Sequence, residues 1–378
     1  MKTSAVVFLC LSVTDRFVYP KIPSKTLLVY ILFLLSIYTY NEVYQYHSKK
    51  WNQLDCKQKC NRILLVADPQ LIGLKNEVLH FLTPLTIWDS DRYLRKTYED
   101  VYKFTEPDIV IFLGDLFDEG STATNSEYKS YADRFFNVFN IPSNFAKTIY
   151  IPGDNDIGGE GYEIVKGDSL MNFEDVFFQQ DVLDVGTNTF YKINRLTKTW
   201  PKMQEDKEFY KVDKIRIGLS HVPLIFQPGG FVEKVIRNLE PHVIFAAHEH
   251  KSMIVTMDGI LQTVRKLIPV SEEDNDVYTF TLGMTDMYEF VVPTCSYRMG
   301  TKRIGYGFAT IENGEINYTV LWSPSRLDQL KNYAWIGGLS LIYFLYRCIV
   351  SACKYCCKKT KSSTSSTPSY IKIENREN

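Results

Sequence analysis

Asp115 and Asp118 stand three residues apart in Gly114-Asp115-Leu116-Phe117-Asp118, directly after the apolar run Ile109 to Leu113. Two carboxylates beside a glycine, where a buried strand would stop, suit a metal or phosphate site. The same residues also make ordinary turns after strands. Four further apolar runs decide between these readings. Ile63 to Ala67 stops at Asp68-Pro69-Gln70, and Thr148 to Ile151 stops at Pro152-Gly153-Asp154-Asn155-Asp156. Ile215 to Leu219 stops at Ser220-His221, and Val243 to Ala247 at His248-Glu249-His250. His221 alone reads as easily as a hydrogen-bonded structural residue. His248 and His250 are stronger, because alternate residues of an extended segment point the same way. Three of the chain's six histidines fall in this set. Five strand ends that each carry a ligand-capable side chain point to a metal centre.

The elements that must position these residues follow a repeated pattern of apolar run, polar turn and longer mixed segment. From about Trp51 to Ser325 this predicts one α/β domain of layered sheet and helix, without a low-complexity linker or internal repeat. The chain has 378 residues, 45% hydrophobic and 23% charged, enough for a sizeable core. A formal net charge of −1 and the lack of a basic run interleaved with aromatics argue against nucleic acid as a partner.

Both ends differ from the middle. Residues 26–44 are apolar and approach the ~20 residues needed to cross a bilayer; a cleaved signal-anchor or a buried helix would read alike. Ala5 to Val13 is a shorter apolar run, followed by Asp15 and Arg16 without a small-residue cleavage pattern. Residues 333–350 form a second span, and Lys354, Lys358, Lys359 and Lys361 follow it. That basic flank places a cytosolic tail at 351–378, disordered in its Ser/Thr-rich stretch, with domain 51–325 lumenal and segment 1–25 cytosolic. Two short spans suit a thin membrane such as the endoplasmic reticulum. In an oxidising lumen Cys56 and Cys60 could pair, and Asn317-Tyr318-Thr319 is a glycosylation sequon. Cys348, Cys353, Cys356 and Cys357 cluster at the far edge of the second span, where palmitoylation is a reasonable reading.

The strand-end motifs resemble the calcineurin-like metallophosphoesterases, whose order is Asp-x-His, Gly-Asp-x-x-Asp, Gly-Asn-His-Asp/Glu, a lone His, then Gly-His-x-His. Asp68-Pro69-Gln70, Gly114 to Gly120, Ser220 to Leu224 and Val292 to Arg298 are similar to the membrane-anchored metallophosphoesterase 1 branch of that family. The resemblance implies a β-sandwich flanked by helices, with one transmembrane helix at each end. It implies two divalent cations, with Mn²⁺ favoured over Fe or Zn²⁺. Asp115 would bridge them at about 3.5–4 Å separation. Asp68 and His250 would serve one, and Asp154 with His221 and His248 the other, although the sharing among the three histidines stays open. Asp115, Asn155 and Asp156 stand at the family's catalytic positions, and Asp118 would orient its neighbours.

The implied reaction is metal-assisted hydrolysis of a phosphodiester. In this branch that means removing ethanolamine phosphate from a mannose of glycosylphosphatidylinositol (GPI) anchors, between the endoplasmic reticulum, its exit sites and the cis-Golgi. GPI-anchored proteins would be the partners. Three positions depart from the family pattern: Asp154 for Asn, Asn155 for His and Ala247 for Gly. An amide at 155 cannot give a proton to a leaving alkoxide, and such assistance is worth about 10²–10⁴-fold. A metal-binding relative with weakened catalysis, or an esterase for another substrate, are the alternative readings.

Overall fold

Two sheets carry the fold of the central unit, seen in a computed structural model. It describes residues 24–363, except 57–59, 76–79, 141–145, 162, 203–213, 274–275 and 284–285. The chain divides into Gln45–Leu327 and a second unit of Met1–Tyr44 with Asp328–Asn378. In order, the central unit runs β1 (Asn61–Val66), α1 (Thr83–Thr105), β2 (Ile109–Phe112), α2 (Asn125–Val138) and β3 (Lys147–Tyr150). Next come α3 (Asp154–Ile157), α4 (Gly167–Phe177), β4 (Val182–Val185), β5 (Asn188–Lys192), β6 (Ile215–Leu219), α5 (Gly230–Leu239) and β7 (Val243–Ala246). It closes with β8 (Met253–Asp258), β9 (Thr263–Pro269), β10 (Tyr278–Thr281), β11 (Asp286–Val291), β12 (Gly305–Glu312) and β13 (Glu315–Trp322).

Among the described residues one sheet has the order β10-β13-β12-β1-β2-β3 and the other β4-β5-β6-β7-β11-β8-β9. β1, β2 and β3 are parallel, and so are β5, β6, β7 and β11. Parallel strands send their carboxyl ends to one edge, which is why residues far apart in sequence collect there. All five apolar runs read from the sequence are strands, four of them ending one residue earlier than the run.

Strand alternation sorts the side chains into layers. Ile63, Leu65, Ile109 and Ile111 join Ile217, Leu219, Phe245 and Phe290 of the other sheet in one buried cluster. Their neighbours Leu64, Val66, Val110 and Phe112 pack instead with Leu94 and Tyr98 of α1 and Phe135 of α2. On the far side of the second sheet, Val232, Val235, Ile236 and Leu239 of α5 meet Ile244, Val255 and Met257. Their spacing is one face of a helix. A capping box of Thr124 and Glu127 starts α2.

In the other unit, a helix over Ser24–Thr39 continues through a π-helical turn at Tyr40–Tyr44. The C-terminal helix spans Arg326–Ser363. Lys25–His47 and Arg326–Lys354 are each long and apolar enough to cross a membrane, both longer than the spans read from the sequence. Leu28, Val29, Leu32, Leu339, Leu341 and Ile342 stand exposed on them, which points to membrane association. Tyr30 donates to Ser340 Oγ at 2.6 Å, and Gln329 donates to the Asn41 carbonyl at 2.9 Å. The helix runs through Ser363, past the membrane-length stretch, which corrects the expectation of disorder for the part of tail 351–378 up to that residue. Residues 364–378, and 1–23 of the N-terminal segment, lie outside the described residues. Cys56 and Cys60 form a disulfide.

Candidate metal centre

Asp68 follows β1, Asp115 follows β2, Asp154 opens α3 after β3, His221 follows β6, and His248 and His250 follow β7. Their side chains come together in two groups. Ligand atoms of Asp68, Asp115 and His250 lie within 4.8 Å of one another, and so do those of Asp154, His221 and His248. The groups touch: His221 Nε2 is 2.9 Å from Asp154 Oδ1 and 3.4 Å from Asp115 Oδ1. Asp115 therefore stands between the two.

The backbone is bent to achieve this. Asp68, Gln70, Asp115, His248 and His250 all have left-handed φ, between 41° and 68°. Non-glycine residues seldom adopt that region, and such departures gather at functional sites. With left-handed φ at both residues, His248 joins one group and His250 the other, so the two imidazoles face one centre but sit in its separate donor groups. Close approach excludes larger residues at two glycines. A Cβ on Gly153 would sit 2.1 Å from Asp115 Oδ1, and one on Gly114 (φ +92°) 2.7 Å from His221 Nδ1.

Buried negative charge dominates the electrostatics. Burial, reinforced by Asp115, pushes Asp68 up to about 7 despite the opposing pull of His221 and His248. Burial also raises Asp115, with Asp154 adding to the effect. For Asp154 burial is outweighed by hydrogen bonds from His221 and His248, and the acid stays below its ordinary value. Burial likewise opposes a charged His221, but Asp115, Asp154 and Asp68 together push it well up. Asp68 Oδ2 is buried and, among the described residues, has no hydrogen-bond partner. Three close carboxylates with an orphaned oxygen call for added positive charge, so the residues fit divalent cations. His221 is oriented for such a role: Nδ1 lies 2.7 Å from the Leu113 carbonyl, leaving Nε2 to face the acids.

Gln70 and Asn155 hold Asp115 from both sides. Gln70 Nε2 donates to Oδ2 at 2.9 Å, while Asn155 donates through its backbone N–H to Oδ1 at 3.0 Å and through Nδ2 to Oδ2 at 2.8 Å. Asn155 is thus a positioning residue for Asp115. Asp156, expected at a catalytic position, is corrected to a structural one. It is fully buried and accepts backbone N–H groups of Gly153, Leu116 and Phe117 at 2.9, 3.1 and 3.0 Å. It ties the Asp115 turn to the Asp154 turn from beneath. Asp118 lies outside both groups, 3.4 Å from Arg298 Nη1, and burial with help from Glu119 and Asp115 pushes it up to about 6.

Two supporting acids escaped the sequence reading. Glu289 of β11 is buried and accepts the N–H groups of Leu224, Ile225 and Phe226 at 2.5, 3.1 and 2.7 Å, fixing the loop after His221. Glu119 does the same for Leu74 and Lys75 at 2.7 and 2.8 Å. One signal was available: Glu289 is a charge directly before the apolar run Phe290 to Val292.

A sandwich of two sheets that gathers two carboxylate–imidazole groups at its strand ends is the architecture of a metallophosphoesterase. The profile of the calcineurin-like phosphoesterase family matches residues 61–252, and the chain belongs to that family. Among its relatives, Metallophosphoesterase 1 homolog of Caenorhabditis elegans is 29% identical over 353 residues, covering 85% of this chain and 91% of that protein. Cell division control protein 1 of Saccharomyces cerevisiae is 26% identical over 308 residues, or 73% of this chain. The match spans only 62% of the yeast protein. Metallophosphoesterase 1 of Danio rerio is 31% identical over 117 residues, 31% of this chain and 28% of that one. A solved dimetal phosphatase from Danio rerio aligns with a TM-score of 0.40 at 9% identity, over 69% of this chain and 99% of its own, too slight a likeness to argue from.

Proposed function

We propose that this chain is a membrane-tethered, two-metal phosphodiesterase that removes ethanolamine phosphate from a mannose of GPI anchors in the early secretory pathway. The observation that carries the two-metal reading is the placement of Asp115 between the two donor groups. The substrate and compartment follow from the resemblance to the metallophosphoesterase 1 branch, with relatives of that name found at modest identity, and the membrane tether is supported by the two membrane-length helices. Asp68, Asp115 and His250 would hold one cation, and Asp154, His221 and His248 the other, with Asp115 shared. Mixed oxygen and imidazole donors suit Mn²⁺, Fe or Zn²⁺. Bound there, a pair of divalent cations supplies Lewis-acid charge to phosphoryl oxygens and lowers the pKa of water.

The chain's own residues set the geometry for this chemistry. Gln70 and Asn155 fix both oxygens of Asp115, and the Leu113 carbonyl fixes the ring of His221. Asn155 donates hydrogen bonds but has no proton to release, so the leaving alkoxide receives no acid assistance from it. Commitment of the Asn155 amide to Asp115 favours a second reading, a metal-binding relative with weakened catalysis. The full chain in lipid nanodiscs with Mn²⁺ is to be assayed on bis(p-nitrophenyl) phosphate beside Asp115→Ala. Wild-type hydrolysis no faster than Asp115→Ala, with metal bound, rejects the enzyme reading for general diesters. A GPI-anchored reporter that retains its ethanolamine phosphate in cells lacking the protein tests the substrate.

A further inference from the structure

A cavity of about 540 Å³ opens at the carboxyl ends of β3 and β5, outside both donor groups. Its size is that of a small-molecule site, ~300–1,000 Å³. Ile151 and Pro152 line it, and two residues after Pro152 the chain reaches Asp154. Two residues span at most ~7 Å, so the cavity wall at Pro152 is within that reach of the Asp154 backbone, on the same strand-end edge.

Its walls are built. Gln179 accepts the Tyr150 N–H at 3.0 Å and the Lys192 ammonium at 3.0 Å, and donates to the Thr148 carbonyl at 2.8 Å. These bonds tie the segment after α4 to β3 and β5. Asn194 uses Oδ1 to accept the N–H groups of Leu196 and Thr197, at 3.0 and 3.1 Å, so its amide hydrogens are not spent there. Trp200 stands edge-on to Phe231 with ring centroids 5.4 Å apart, which fixes the indole. Phe178 is 78% exposed at the cavity, a large aromatic that the core does not use.

The mixture selects a ligand class. Lys192 disfavours a cation, and Glu174 with Asp181 disfavours a compact anion. A neutral polyhydroxyl ring suits the rest: its hydroxyls both donate and accept, matching amide, ammonium and carboxylate, while its C–H faces pack on aromatic rings. We propose that this cavity is a sugar subsite, holding a hexose of the substrate next to the phosphodiester. The assignment deepens, and rests on, the glycan reading above.

The full chain in lipid nanodiscs is titrated with methyl α-D-mannopyranoside and followed by saturation-transfer NMR. Saturable binding is expected, weakened about tenfold (about 1.4 kcal/mol) by Trp200→Ala and by Asp181→Asn. Absence of saturable binding in wild type, or binding that neither substitution alters, overturns the subsite. Should Trp200→Ala fail to fold by circular dichroism, Phe178→Ala at the exposed rim takes its place. Hydrolysis of sugar-free bis(p-nitrophenyl) phosphate is expected to be unchanged in these variants. If wild type fails to hydrolyse that diester yet binds the mannoside, the enzyme reading falls for general diesters and the subsite stands.

Discussion

Asn155 grips both oxygens of Asp115, its backbone N–H on Oδ1 at 3.0 Å and its side-chain amide on Oδ2 at 2.8 Å. Where the wider family places a histidine, this chain therefore has a clamp. Removing the clamp while keeping the backbone bond isolates its role. Asn155→Ala is expected to fold normally and to bind Mn²⁺ about 10–100-fold more weakly, as losses of groups that orient ligands do. Isothermal titration calorimetry on wild type and variant checks it. In Asn155→His an imidazole can give a proton to the leaving group, and turnover of the chromogenic diester is expected to rise by up to about 10². Turnover unchanged in Asn155→His would show that protonation of the leaving group does not limit the reaction.

The orphaned oxygen of Asp68 sets a second expectation. Without cations, Asp68, Asp115 and Asp154 repel one another in a buried space. Chelation with EDTA should lower the melting temperature of wild type. Mn²⁺ at 100 times its dissociation constant should restore about 2.7 kcal/mol. Asp68→Asn removes one charge and one ligand together. Its chelated form should melt no lower than chelated wild type, and added Mn²⁺ should shift it far less. Differential scanning calorimetry with and without EDTA separates these outcomes; an equal metal-induced shift in both proteins would remove Asp68 from the centre.

Glu289 carries a third. Three backbone N–H groups of the His221 loop depend on this single carboxylate. Leaving a buried donor unsatisfied costs about 1–3 kcal/mol each. Glu289→Ala should therefore destabilise the central unit by several kcal/mol, and Glu289→Gln by less, because one amide oxygen still accepts. Hydrogen exchange should quicken first at 224–226 in Glu289→Gln. Protection equal to wild type there would show the loop is held by other contacts.

Much of the centre was readable because its residues sit where β-branched runs end, and a strand end is visible in sequence as a change of residue type. Asp68, Asp115, Asp154 and His221 each follow such an end. Supporting acids were not readable for a physical reason. Glu289 and Glu119 act on backbone N–H groups more than forty residues away in the chain, and neither the donor nor the distance leaves a local pattern. Asp156 was misread in the same way, since its partners are backbone groups of Gly153, Leu116 and Phe117. The division of His248 from His250 depends on left-handed φ at both residues, which alternation alone cannot show. Layering of sheet and helix followed from the apolar runs, and the pairing of two sheets was implied by the family resemblance. The order of the strands did not follow, because pairing such as β12 beside β1 joins segments over two hundred residues apart.

At the opposite end of β7 from the metal centre, His242 should shape the acid limb of the stability curve. Its Nδ1 accepts the backbone N–H of Arg216 at 3.0 Å, so only the neutral ring serves the fold. Burial, and then the nearby Arg216 guanidinium, pushes its pKa down to about 4 from the ordinary 6.5. Above pH 6.5 the ring is neutral both folded and unfolded, and its contribution to stability is fully present. Between 6.5 and 4 the unfolded chain takes up the proton and the folded one does not, so stability falls as the pH falls through that window. Below about 4 both states are charged and this contribution is gone. In His242→Asn, Oδ1 can accept the same N–H without titrating. Melting temperatures recorded from pH 7 to pH 4 should therefore drop less steeply in the variant than in wild type. Parallel curves would mean that His242 takes up its proton alike in the folded and unfolded chain, and that its bond to Arg216 does not depend on a neutral ring.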